Sequence, residues 1–185
     1  FGQTELSPVA TILPTDYHVF EGPKAGKLRS AGRATRVCEI RIVNEDCDEI
    51  SRGDVGQIAV KGPITMLGYW NKPDVTAQTI VDGWVLTGDA GYMDDDGFIF
   101  LMDRVKDMIV SGGENVYSAE VENALGQHPA VATSAVIGIP SDQWGESVHA
   151  IVILHPDATV TTEELQAHCH KLIAGYKCPR SVEYR

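Results

Sequence analysis

Thirteen consecutive residues, Asp103-Arg104-Val105-Lys106-Asp107-Met108-Ile109-Val110-Ser111-Gly112-Gly113-Glu114-Asn115, suit neither a plain helix nor a plain strand. Alternating charge leads into an apolar triplet and then into paired glycines, and local rules broken together mark functional or strained sites. Met108-Ile109-Val110 reads as a short buried strand that stops at the flexible Ser111-Gly112-Gly113 turn. Arg104 and Lys106 set a guanidinium and an ammonium two residues apart, where a polyanion can be held. The run therefore predicts a phosphate-bearing ligand at a junction between two folding units.

The patterns on either side of this run differ. From about residue 34 to 102 strand signals dominate: Ile40 and Ile42 alternate with Glu39 and Arg41, and Ile58 and Val60 flank Ala59. Turns fall at Arg52-Gly53 and Lys61-Gly62-Pro63. Gly91 to Met93, Asp94-Asp95-Asp96-Gly97 and Phe98 to Leu101 read as a hairpin whose acidic tip is a solvated turn. A calcium loop would alternate its ligands and add a distal Glu, which this tip lacks. After Arg104 the pattern is mixed. Ser118 can cap a helix with Val121, Ala124 and Leu125 inside, and strands follow at 131–139 and 149–154. Thr161 and Glu164 form a capping box for a helix that places Leu165, Cys169 and Leu172 on one face and ends at Gly175. The expected fold is α+β, with residues 1–103 β-rich and residues 104–185 a small mixed α/β lobe.

The 185 residues, 43% hydrophobic and 22% charged, have a globular balance and enough length for a sizeable core. A net charge of −11 excludes a broad basic face for nucleic acid but leaves room for a nucleotide held by a few cations. Cys38, Cys47, Cys169 and Cys178 show no metal or disulfide spacing, which fits reduced thiols in a cytoplasmic setting. His168-Cys169-His170 is no metal cluster, because helical side chains one and two apart face different ways. No apolar run is long enough to span a bilayer.

Three further strings give the central run its meaning. Phe1-Gly2-Gln3-Thr4-Glu5, Trp84-Val85-Leu86-Thr87-Gly88-Asp89-Ala90-Gly91-Tyr92 and Tyr176-Lys177-Cys178-Pro179-Arg180 occur in this order around it. Together they resemble the C-terminal third of the adenylate-forming enzymes, which include acyl-CoA synthetases, luciferases and peptide-synthetase adenylation domains. Asp103 to Asn115, continued by Val116 to Glu122, is most similar to the acyl- and aryl-CoA ligase branch. The resemblance implies that residues 1–103 are the barrel-like end of a large N-terminal domain, with a phosphate loop upstream and a Gly-Lys pair downstream. Neither lies in these residues, so the chain reads as part of a larger enzyme and inactive alone.

The resemblance also implies roles. Glu5 would bind magnesium and Thr4 would donate to a phosphate oxygen, while Phe1 and Gly2 would border the adenine of ATP or AMP. Phe1 stands where the family usually has tyrosine. Asp89 would accept hydrogen bonds from the ribose diol, and Arg104 would complete the ribose and phosphate contacts with its planar fork. Lys106 matches the hinge about which the lobe swings between its two half-reactions. Gly112 and Gly113 would let the pantetheine arm of CoA pass close to the backbone. Trp144 is either a CoA-packing indole or a core residue, and Tyr176 and Arg180 would lie near the CoA adenine and phosphates. Cys178 stands where some aryl-CoA ligases carry a basic residue, and Lys177 is the neighbouring cation that could replace it. Trp70 and Trp84 read as structural packing.

The expected activity is ATP-, Mg2+- and CoA-dependent conversion of a fatty or aromatic carboxylic acid to its thioester. Homo-oligomerisation is left open. The alternatives are an adenylation domain loading a carrier protein, a luciferase-like oxygenase, and a noncatalytic nucleotide- or CoA-binding module.

Overall fold

The computed structural model describes all of residues 1–185, which divide into two compact units, Phe1–Val105 and Lys106–Arg185. In the first, one five-stranded antiparallel sheet contains β3 (Glu39–Val43), β4 (Gly56–Lys61), β5 (Ile80–Val81), β6 (Trp84–Met93) and β7 (Ile99–Arg104). A separate ribbon pairs β1 (Thr11–Ile12) with β2 (Arg33–Ala34). Ala31 donates its N–H to the Ile99 carbonyl and Ile99 donates its N–H to the Gly32 carbonyl, which ties that ribbon to β7. Leu6, Ile42, Ile58, Val60, Val85, Met93 and Ile99 are packed together as the core. The alternation expected in β4 is absent, since Ile58, Ala59 and Val60 are all fully buried. Both faces of this strand are covered.

The centre of β6 is irregular, and this irregularity places Asp89. Gly88 takes a φ of +77°, and the pairing of β6 shifts register against β4 and again against β7. Thr87 donates its hydroxyl to the Ile58 carbonyl at 2.9 Å and accepts the Asp89 N–H at 3.1 Å. A bulge of this kind bends a strand and re-aims the side chain that follows it.

In the second unit, β8 (Ile109–Ser111) and β9 (Glu114–Val116) form a hairpin around Gly112 and Gly113, whose φ values are +64° and +84°. Positive φ at both central residues is the turn that matches the twist of a hairpin, and glycine adopts it without steric penalty. β10 (Val131–Ser141) and β11 (Gly145–Leu154) are antiparallel, and β12 (Ser181–Tyr184) runs parallel to β11. Helices α2 (Ser118–Gly126) and α3 (Thr162–Cys169) contribute Val121, Ala124, Leu125, Leu165 and Cys169 to one core with Ile109, Val136, Val148, Ala150 and Val152.

Several expectations need correction. Only Ile109 of the Met108–Val110 triplet is fully buried and Val110 is largely exposed, because a hairpin strand turns alternate residues outward. The N-cap of α2 is Tyr117, with no capping side-chain bond, and Ser118 is the first helical residue. The Thr161–Glu164 capping box is present, but α3 ends at Cys169, leaving Leu172 exposed. The acidic hairpin tip is not simply solvated, since Lys27 grips Asp94 at 2.5 Å and Asp96 at 2.7 Å. Trp84 does pack, beneath the Arg41 guanidinium at 4.0 Å, whereas Trp70 is 89% exposed and packs into no core. Strand β12 and a short helix α1 (Pro73–Thr79) carried no signal strong enough to be expected.

Candidate active site

Two groups of side chains, one in each unit, contain the residues singled out in the sequence. In the first unit, Thr4–Leu6 form a single 3-10 turn that exposes Thr4 and half-buries Glu5, with Leu6 anchored in the core. Gly2 is obligatory here: a Cβ would lie 1.6 Å from the Pro8 carbonyl oxygen. The Phe1 carbonyl accepts the Ala10 and Thr11 N–H groups, and its ring lies against the core. Glu5 is held twice. Its carbonyl accepts the Met66 N–H at 2.8 Å, and its carboxylate Oε1 accepts the Tyr69 hydroxyl at 2.8 Å.

Asp89 and Arg104 are cross-strand partners on β6 and β7. Burial pushes the Asp89 carboxyl above its ordinary value, and the Arg104 guanidinium counteracts part of that rise. A half-buried carboxylate near a cation can accept hydroxyl hydrogen bonds.

A second constellation lies in the other unit. Gly112 donates its N–H to the Trp144 carbonyl at 2.8 Å, and a Cβ on Gly112 would meet the indole at 2.9 Å. The Arg180 guanidinium sits over the same ring, 4.5 Å from its centroid, and donates to the buried Ser111 hydroxyl at 2.8 Å. Trp144 is therefore a partly exposed ring held by glycine backbone and a cation, not a core tryptophan. No heavy atom would crowd a Cβ at Gly113, so of the two glycines it alone borders open space. Glu146 accepts the Val110 N–H at 2.8 Å, and Glu122 accepts the Val136 N–H at 2.9 Å. Both carboxylates line a cavity of about 380 Å³ with Lys106, Met108, Ile109 and Gly138.

Lys177, left open in the sequence as a replacement for the basic residue, is engaged elsewhere. Both of its short contacts, at 2.7 and 2.9 Å, go to the Glu120 carboxylate. Cys178 is buried with its thiol toward the Ala174 carbonyl, and burial raises its pKa. Arg180 and the exposed Tyr176 remain available at the surface of this segment. Tyr69, Ser111, Glu120 and Glu122 were assigned no site role from the sequence. Each acts through a partner 14 or more residues away, which spacing alone does not disclose.

The AMP-binding enzyme family matches residues 1–70, and the family of the AMP-binding enzyme C-terminal domain matches residues 120–185. The chain belongs to the AMP-binding enzymes. Among curated relatives of this chain is a fatty acid–[acyl-carrier-protein] ligase, ScoC, of Streptomyces coeruleorubidus. It is 40% identical over 184 residues, covering all of this chain and 35% of the relative. A long-chain-fatty-acid–CoA ligase of Yersinia pestis is 41% identical over 185 residues, covering all of this chain and 32% of that one. The chain thus spans about a third of the length of the curated relatives it matches.

Among solved structures, o-succinylbenzoate CoA synthetase (MenE) from Bacillus subtilis, in complex with its acyl-adenylate intermediate, superimposes with a TM-score of 0.89 at 38% identity. That match covers 100% of this chain and 36% of the other. The same synthetase with ATP and a magnesium ion gives 0.87 at 36% identity, with the same coverage. No helix of the chain is long and apolar enough to cross a membrane.

Proposed function

We propose that this chain is part of an AMP-forming acyl-CoA synthetase acting on a fatty or aromatic carboxylic acid. The reading is carried by the match of the whole chain, at 38% identity, to a CoA synthetase holding its acyl-adenylate. The substrate carboxylate attacks the α-phosphorus of ATP and pyrophosphate leaves. The CoA thiol then attacks the carbonyl of the mixed anhydride and AMP leaves.

Each residue has a task on this reading. The Thr4 hydroxyl donates to a phosphate oxygen, Phe1 and Gly2 border the adenine, and Asp89 accepts from the ribose hydroxyls with Arg104 beside it. Preorganised donors and charges of this kind stabilise developing charge without reorganising. Glu5 fits a magnesium site of the shared type. One half-buried carboxylate, with no cluster of three or more acidic, His or Cys side chains, suits an ion that takes its remaining ligands from phosphate and water. When bound, that ion neutralises phosphate charge. Lys106 is the polar hinge residue, Gly112 and Gly113 flank the pantetheine arm, and Trp144, Tyr176 and Arg180 receive the nucleotide end of CoA.

A second acceptor deserves its own assay. Lys177 is engaged by Glu120 and Cys178 is buried, so Arg180 alone supplies charge for the phosphates of CoA in this segment. A pantetheine arm borne by a carrier protein would need fewer cations there. The decisive experiment is acid-dependent ATP–pyrophosphate exchange by the full-length protein with fatty and aromatic acids, followed by acyl transfer to CoA or to a holo carrier protein. Exchange stimulated by one acid class is expected, and none with any acid from folded, magnesium-supplied protein would overturn the synthetase reading.

A further inference from the structure

The segment Met66–Tyr69 is tied to Glu5 at both ends. Met66 donates its N–H to the Glu5 carbonyl, and the Tyr69 hydroxyl donates to Glu5 Oε1 at 2.8 Å. Tyr69 is itself fixed: its N–H goes to the Thr76 hydroxyl at 2.9 Å, and its carbonyl accepts the Lys72 N–H where α1 begins. The same segment buries little, since Leu67 is fully exposed and Trp70 is 89% exposed. Its order comes from hydrogen bonds to Glu5 at one side and to Thr76 and Lys72 at the other, rather than from a hydrophobic anchor.

We propose that Tyr69 is a positioning residue for Glu5, holding one carboxylate oxygen so that the other is presented to the magnesium ion accompanying ATP. This rests on the reading of Glu5 as the magnesium ligand. A ligating carboxylate whose second oxygen is hydrogen-bonded loses rotational freedom, and such outer partners commonly set metal affinity. The aromatic body of Tyr69 is kept in Tyr69→Phe, which removes only the donor.

The test measures Mn2+ binding by electron paramagnetic resonance in the full-length protein with α,β-methylene-ATP, for wild type, Y69F and E5Q. A magnesium titration of adenylation runs in parallel. Y69F is expected to weaken the metal by roughly tenfold, with kcat recovering at saturating magnesium. A tyrosine that only supports the fold would instead lower kcat at every magnesium concentration and leave the Mn2+ constant unmoved, which would overturn the proposal. Unchanged binding in Y69F with binding lost in E5Q would discard the role of Tyr69 and keep that of Glu5. Wild-type binding in E5Q would remove the reading of Glu5 itself.

Discussion

Asp89 illustrates a carboxyl whose burial works against stability at neutral pH. Its folded pKa lies above the ordinary 3.8, because desolvation outweighs the nearby Arg104 charge. Below the unfolded value both states hold the proton and the group is neutral to stability. As pH rises through the folded value, the native state must carry a half-buried charge, and stability is lost and stays lost at neutral pH. Asp89→Asn should therefore melt at a higher temperature than wild type at pH 7 and at the same temperature near pH 3. Nucleotide binding should fall in the same variant. Calorimetry at the two pH values, with an AMP titration, checks both halves, and a lower melting temperature at pH 7 would contradict the account. At this scale the sequence was informative about residue type. A carboxylate after Thr87-Gly88 was visible, whereas the bulge that aims it was not.

The β8–β9 hairpin separates two glycines that look equivalent in the sequence. Both take positive φ, but only Gly112 faces a ring, with the Trp144 indole 2.9 Å from where a Cβ would sit. Gly113→Ala should destabilise by about 1–2 kcal/mol, the cost of a left-handed non-glycine residue. Gly112→Ala should cost more, because the indole and the Arg180 above it must also shift. Urea denaturation of the two variants measures the difference, and equal losses would mean that the indole moves freely. The turn itself was legible, since paired glycines after an apolar triplet halt a strand. The partner strand β9 was not, because Glu114-Asn115-Val116 has little strand propensity and pairs only through the turn geometry. The acidic tip after β6 shows the same limit: the partner of Asp94 and Asp96 is Lys27, 67 and 69 residues away.

Across the whole chain, the four cysteines give a global check on the two cores. Cys169 and Cys178 lie in the core of the second unit, and burial pushes the Cys169 thiol up to about 11 from 9.0. Since only the thiolate reacts, both should resist maleimide or DTNB at pH 8 in the native chain and react fully after denaturation. The half-buried Cys38 and Cys47 should label first. The same shift makes Cys169 favour the folded state only while protonated, so its contribution falls as pH rises from about 9 to about 11. Rapid native labelling of all four thiols would show the second core to be looser than described.

What the sequence alone determined is what depends on local order along the chain. This includes the strand-rich half, the mixed half, the Thr161–Glu164 cap, the glycine turn and the ordered strings that resemble the adenylate-forming enzymes. Only the tertiary structure decided which partner each of these side chains takes: Lys177 belongs to Glu120, Arg180 to Ser111 and Trp144, and Glu5 to Tyr69. Backbone preferences act over a few residues and leave a record in spacing. Hydrogen bonds and ion pairs between distant segments form only when packing has already brought them together.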